Sequence, residues 1–400
     1  MNARRSRFPT IPAVLIAGAA VLAFLACLDT AAVPLNRSSP RLACAPQSAV
    51  GTWVVVAPIG PLVDRAPIVQ IDTSFGRGYA ISVPMALDPF GRTDSSLLTG
   101  VLSGEADKCQ FRLTWQLRAP AEFLFQLEIS ADTARGTVVW RPPIGDSSQA
   151  SGVAVRIDPA VLLSFPPHSL TSTDTTKAYL MFSLPDAPLT DRPVISQLRA
   201  RGLVAELAIP TMLVGQVGTY SWTELTGYVR EGFVASAHSR RHSPSTTTPL
   251  DFINEVAGSK QDLIDHGMEV RSFTQPGVWR DSLYFNSASK IRTWHGALLR
   301  EMYGGFEAYS SGPYLPVPMV DSVAFGMSHI TLDGLQTDSA ILRFWKVAPK
   351  KGRLVILAVH TRSLVRPDQL TILFDSVAAA VSGGRVIVIP SLDAVPRSSQ

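Results

Sequence analysis

The sequence predicts an α/β protein: a domain of alternating strands and helices, preceded by an all-β region built as a sandwich or open barrel. Three observations predict it. After residue 177 a helix, a glycine and an apolar strand follow one another four times. From residue 44 to 157 apolar side chains recur every second position, without a convincing helix. Between the two lies a stretch rich in Pro, Ser and Thr, 164–176, which reads as a linker.

The chain has 400 residues, enough for about two domains each with its own core. Its net charge is only +4, and no Lys/Arg run is long enough for a nucleic-acid footprint. At the start, Arg4, Arg5 and Arg7 precede an apolar run from Ile11 to Leu28. A positive segment before an apolar one is an export signal, which predicts a protein of the periplasm or cell surface. Ala26-Cys27 reads as a lipidation site; cleavage near Ala31-Ala32 and an uncleaved membrane anchor are the alternatives. Residues 1–32 are thus a signal and 33–43 a tether. Cys44 and Cys109 then remain as an even pair, which an oxidising compartment would keep as a disulfide.

The β-rich domain spans 44–163. Phe111, Leu113, Trp115 and Leu117 alternate with Arg112, Thr114 and Gln116, the pattern of a half-buried strand, and Glu122 to Ile129 continues it. Shorter strands are expected at 52–57, 68–71, 79–83, 138–141 and 153–157, separated by Gly, Pro and Asp turns. Trp53, Trp115 and Trp140 are expected in the core, and nothing in this domain carries chemistry.

The second domain, 177–395, changes grammar. Ala178–Leu184 has strand length, and Pro193 to Arg201 is a short helix stopped by Gly202. Leu203–Ile209 is the next strand. Ser221 and Glu224 form a capping box opening a helix that Gly232 stops, and Phe233–Ala237 follows as a strand. A helix over 249–266, a strand over 269–273, a strand over 353–359 and a helix carrying Leu370, Leu373, Phe374 and Val377 complete the pattern. Such alternation argues for a parallel sheet, whose strand C-termini form the active face. His238 and His360 each follow a strand directly and would meet there. His242 lies four residues beyond His238, a spacing at which two imidazoles can share a divalent metal if an acidic ligand joins them. Two solvated histidines at a helix start are the alternative.

On these residues 177–395 resembles the polysaccharide deacetylase family, the NodB-type carbohydrate esterases. Its H-[ST]-x-x-H motif is matched by His238-Ser239-Arg240-Arg241-His242, its final strand-His motif by "RLVILAVH" ending at His360, and an F-x-x-P-G-like loop by "VRSFTQPG". The resemblance implies a distorted (β/α) barrel, a zinc or other divalent ion on His238 and His242, and an acetylated polysaccharide as partner. It implies His360 as general acid toward the leaving amine. Gln275 stands where the family often has arginine, and Tyr220 and Trp294 are expected to line a sugar platform. The family's T-F-D-D motif supplies a metal ligand and a base, but here Phe182-Ser183-Leu184-Pro185 occupies that place. Either Asp186 or Asp191 reaches the metal through a rebuilt loop, Asp186 being the assigned ligand, or both solvate the turn. The competing expectation is a catalytically impaired pseudoenzyme that binds glycan or a protein partner. His168, His295 and His329 are expected at the surface or in the core, and no G-x-S-x-G elbow supports a serine hydrolase.

Overall fold

In the N-terminal half of the computed structural model, the period-two runs pair into one antiparallel sheet. The structure describes residues 51–394 except 63–65, 72–77, 83–99, 108–109, 118–121, 163–173, 244–247, 278, 280–284, 286–292, 310–313, 318–324, 334–341, 343–344, 347–348 and 365–369. The sheet holds β1 (Gly51–Val56), β2 (Ile68–Ile71), β3 (Gly78–Ser82), β4 (Gly100–Asp107), β5 (Gln110–Leu117), β6 (Glu122–Ser130), β7 (Thr133–Arg141) and β8 (Ser148–Ile157). Their order is β3-β2-β1-β8-β7-β6-β5-β4. It is a half-barrel, not a sandwich of two facing sheets. Along β6, Phe123, Phe125, Leu127 and Ile129 are buried while Gln126 and Glu128 face water. Trp53 is fully buried, and Trp140 stacks on Phe123 with ring centres 4.4 Å apart.

The second half alternates as its sequence requires. It runs β9 (Ala178–Pro185), α1 (Arg192–Arg199), β10 (Glu206–Ile209), α2 (Trp222–Arg230), β11 (Val234–Ala237), α3 (Pro249–Asp265) and β12 (Ser272–Thr274). It continues through α4 (Trp294–Met302), β13 (Gly305–Glu307), β14 (Tyr314–Pro316), β15 (Phe325–Met327), β16 (Ile330–Thr331), β17 (Arg353–Ala358), α5 (Thr371–Ser382) and β18 (Val386–Val388). The path β17-β9-β10-β11-β12-β13-β15 is parallel throughout, with β14 antiparallel beside β17. β16 joins β17, and β18 joins the first half of β9. This curled parallel sheet, its strands alternating with helices, is a distorted (β/α) barrel. All eight residues of β9 are buried, as expected of a strand covered on both faces.

Local chemistry sets the element ends. The Ser221 hydroxyl accepts the Glu224 amide and the Glu224 carboxylate accepts the Ser221 amide, so both ends of the α2 capping box form. At its far end Gly232 has φ +100°, a conformation costly for a residue with a Cβ. One apolar core runs from Val54, Val155 and Ile157 of the antiparallel sheet into Phe252, Ile253 and Val256 of α3 and on into the parallel sheet. Among the described residues no helix is long and apolar enough to cross a membrane.

Candidate metal centre

Parallel strands all end on one edge, and each ligand candidate stands where a strand stops. β9 ends at Pro185, and the chain then turns through Asp186 (φ +74°) and Ala187 (φ +48°). The Tyr220 amide donates to the Ala187 carbonyl at 3.2 Å and the Leu189 amide to Gly218 at 2.9 Å, holding this turn. After β11, Ser239 (φ +61°) and His242 (φ +51°) are left-handed as well. Four of the five non-glycine residues with positive φ among those described lie in these two turns. Such backbone costs on the order of 1–3 kcal/mol per residue and persists only where surroundings over-determine it.

Helix α3 supplies those surroundings. Its Glu255, almost fully buried, accepts the amides of Arg240 (2.9 Å) and Arg241 (2.8 Å) on one carboxylate oxygen. Arg241 Nε donates to the other. Arg240 grips Asp262 with two hydrogen bonds of 2.9 Å, and Thr211 adds a third to the same carboxylate. A Cβ on Gly258 would come within 2.5 Å of Arg240 Cδ, so the glycine lets this arginine lie flat across the helix. The two arginines between the histidines therefore point back to α3 and leave both imidazoles facing the sheet edge.

There the carboxylate and the imidazoles meet. Asp186 Oδ1 lies 3.1 Å from His242 Nε2 and 3.4 Å from His238 Nε2. His238 Nδ1 donates to the Thr274 carbonyl at 2.8 Å, because a carbonyl can only accept. That bond fixes the tautomer with an unprotonated Nε2 toward Asp186. Burial pulls the His238 pKa down, outweighing the Asp186 carboxylate, so the ring is neutral. Burial of Asp186 works to raise its pKa, but the two histidine rings beside it hold it well below the usual range. One ionised carboxylate and two imidazoles, with one donor atom from each all within 4.8 Å of one another, can hold a metal ion. Ligands about 2.0–2.2 Å from a tetrahedral zinc stand about 3.3–3.6 Å apart; the 3.4 Å between Asp186 and His238 falls in that range and the 3.1 Å to His242 is slightly shorter.

A cavity of about 210 Å³ opens beside the cluster. His360, after β17, lines it with Nδ1 3.3 Å from Asp333 Oδ2. Burial alone would lower the His360 pKa; the Asp333 carboxylate, reinforced by Asp186 and Glu307, lifts it above its ordinary value. Gln275 lines the cavity too: its Oε1 accepts the Phe285 amide at 2.9 Å, while its buried Nε2 has no partner among the described residues.

The structure brings together Asp186, His238, His242, His360 and Gln275 and separates the other candidates from them. Tyr220 is fully buried, packed edge-on to Tyr228, and does not reach the cavity, so it offers no sugar platform. Trp294 stacks on His295 at 3.8 Å and meets Phe252 edge-on, a packing role away from the cavity. Neither aspartate solvates its turn. Asp191 is fully buried and accepts the Thr361 hydroxyl at 2.6 Å; burial, aided by the nearby Asp186 charge, raises its pKa to about 8. Cys27, Cys44, Cys109 and His168 lie outside the described residues. Sequence reasoning missed Glu307, Asp333 and the place of His329, all of which belong to the site or its lining. Glu307 closes a three-residue strand and His329 follows another, too short for periodicity to reveal.

No family model and no curated protein matches this chain. Solved structures do resemble it. A family 4 carbohydrate esterase from Streptomyces lividans in complex with acetate is 12% identical over 55% of this chain and 98% of its own, with a TM-score of 0.37. A peptidoglycan N-acetylglucosamine deacetylase is 11% identical over 57% of this chain and 94% of its own, with a TM-score of 0.38. A pseudoenzyme of the same family from Bacillus anthracis is 11% identical over 58% of this chain and 72% of its own, with a TM-score of 0.37. These neighbours are a carbohydrate esterase, a deacetylase and a pseudoenzyme. At such identities the chemistry of this chain rests on its own residues.

Proposed function

We propose that this chain is a metal-dependent hydrolase that removes N- or O-linked acetyl groups from a carbohydrate at the cell envelope. The observation that carries the reading is the meeting of Asp186 with the Nε2 atoms of His238 and His242, at 3.1 and 3.4 Å, beside His360. A divalent ion held there, zinc by its donor set, would polarise the acyl carbonyl and make a water more acidic. His360, kept protonated by Asp333, faces the same cavity and supplies a proton to the leaving nitrogen or oxygen as its bond to the acyl carbon breaks. The Gln275 side-chain amide is placed to donate to the acyl or a sugar oxygen. The arginine-led apolar leader supports export, with anchoring by a lipid on Cys27 or by the leader itself, and supports an acetylated polysaccharide as substrate.

One observation favours a second reading. Phe182-Ser183-Leu184-Pro185 offers no carboxylate where the resemblance expects two, and the buried Ser183 hydroxyl has no partner among the described residues. On that reading the chain binds glycan or a protein without turnover. Zinc content and acetate release from acetylated chito-oligosaccharide separate the two. Stoichiometric zinc and acetate release, both lost in His238→Ala, are expected. Zinc-loaded protein that binds the oligosaccharide and releases no acetate would establish the second reading instead.

A further inference from the structure

The cavity beside the metal cluster is lined by two carboxylates, and only one belongs to the cluster. Asp186 is engaged by both histidines. The other is Glu307, the last residue of β13, 1% exposed. Both its oxygens lack an aligned hydrogen-bond partner among the described residues. His329, which follows β15 and lines the same cavity, brings Nδ1 to 2.6 Å from Glu307 Oε1. The approach is close but off-axis, so both groups keep hydrogen-bonding capacity. A nearly fully buried carboxylate aimed into a cavity without an aligned partner is costly unless the site uses it.

We propose that Glu307, oriented by His329, is the proton acceptor of this site, standing where no first-motif aspartate is present. This rests on the hydrolase reading above. As the water oxygen bonds to the acyl carbon, Glu307 takes one water proton. As the acyl carbon–nitrogen or –oxygen bond breaks, His360 gives a proton to the leaving atom. One water is consumed, acetate and a free amine or hydroxyl are released, and proton exchange with solvent resets both residues. Glu307 is the catalytic residue and His329 a positioning residue.

The test uses purified protein loaded with zinc, with Glu307→Gln and His329→Gln as variants and thermal melting as the check on folding. Glu307→Gln is expected to lower kcat for acetate release about 10²–10⁴-fold with zinc affinity unchanged. His329→Gln is expected to lower kcat about tenfold with KM unchanged, a split that a merely structural role would not give. An independent readout is the proton count on binding acetohydroxamate, by calorimetry in buffers of different ionisation enthalpy. Wild type keeps the ligand's proton in the cavity, whereas Glu307→Gln releases about one proton to the buffer. Equal proton counts and equal rates in zinc-loaded wild type and Glu307→Gln would overturn the role of Glu307 and leave the hydrolase reading standing. Failure of wild type to bind zinc or acetohydroxamate would overturn both.

Discussion

At the scale of single residues, the half-buried Asp333 and the fully buried Asp191 set how the protein responds to pH. Asp333 holds His360 above the ordinary histidine pKa against the opposing effect of burial. An acid that must carry its proton gives a rate that falls as pH rises through that raised pKa. Asp333→Asn removes the strongest of the groups that oppose burial, so the alkaline limb of the kcat/KM profile is expected to move to lower pH; an unmoved limb would remove His360 from the proton-donor role. Asp191 works through stability. Its folded pKa of about 8 exceeds the ordinary value of 3.8, so between those values the folded chain keeps a proton that the unfolded chain gives up. Stability is therefore highest below the unfolded pKa and is lost as pH rises through the window to about 8. Asp191→Asn keeps an acceptor for Thr361 and removes the titration. Its melting temperature should gain on wild type steadily from pH 4 to 8, and a constant gap would count against a protonated Asp191.

At the scale of elements, the histidine turn is held by α3, and its test lies in that helix. Glu255→Gln replaces one of the two oxygens that accept two amides and Arg241, and is expected to weaken zinc binding about 10–100-fold in a chelator competition without touching the metal. Unchanged affinity would mean that the turn holds its own shape. The same contrast explains what the sequence made legible. The strand before His238 and the helix-glycine stops were readable because they obey local periodicity and capping. The pairing of His238 and His242 followed from their spacing. That Asp186 joins them depends on two left-handed residues, Asp186 and Ala187, which no propensity favours and which the long-range contacts with Gly218 and Tyr220 enforce. Tyr220 and Trp294 stand away from the cavity for a related reason: apolar neighbours draw Tyr220 wholly into the core and hold Trp294 half-buried against it.

At the scale of the whole molecule, the antiparallel half-barrel and the (β/α) barrel share a core through β1, β8 and α3. Residues 51–394 are therefore expected to unfold in one transition, with far-ultraviolet circular dichroism and tryptophan fluorescence coincident in denaturant. Ile157→Ala, in the shared core, should lower stability by about 2–5 kcal/mol and shift both signals together. Two separated transitions would show that the β-rich half folds on its own. Everything proposed about chemistry rests on one feature of this architecture, the convergence of Asp186, His238 and His242 on the sheet edge. Zinc K-edge absorption on purified protein tests it most directly. The account predicts one zinc per chain with two imidazole nitrogens and a carboxylate oxygen at about 2.0–2.2 Å, and loss of that signal in both His238→Ala and Asp186→Asn. Sub-stoichiometric zinc, or the same spectrum in either variant, would contradict it.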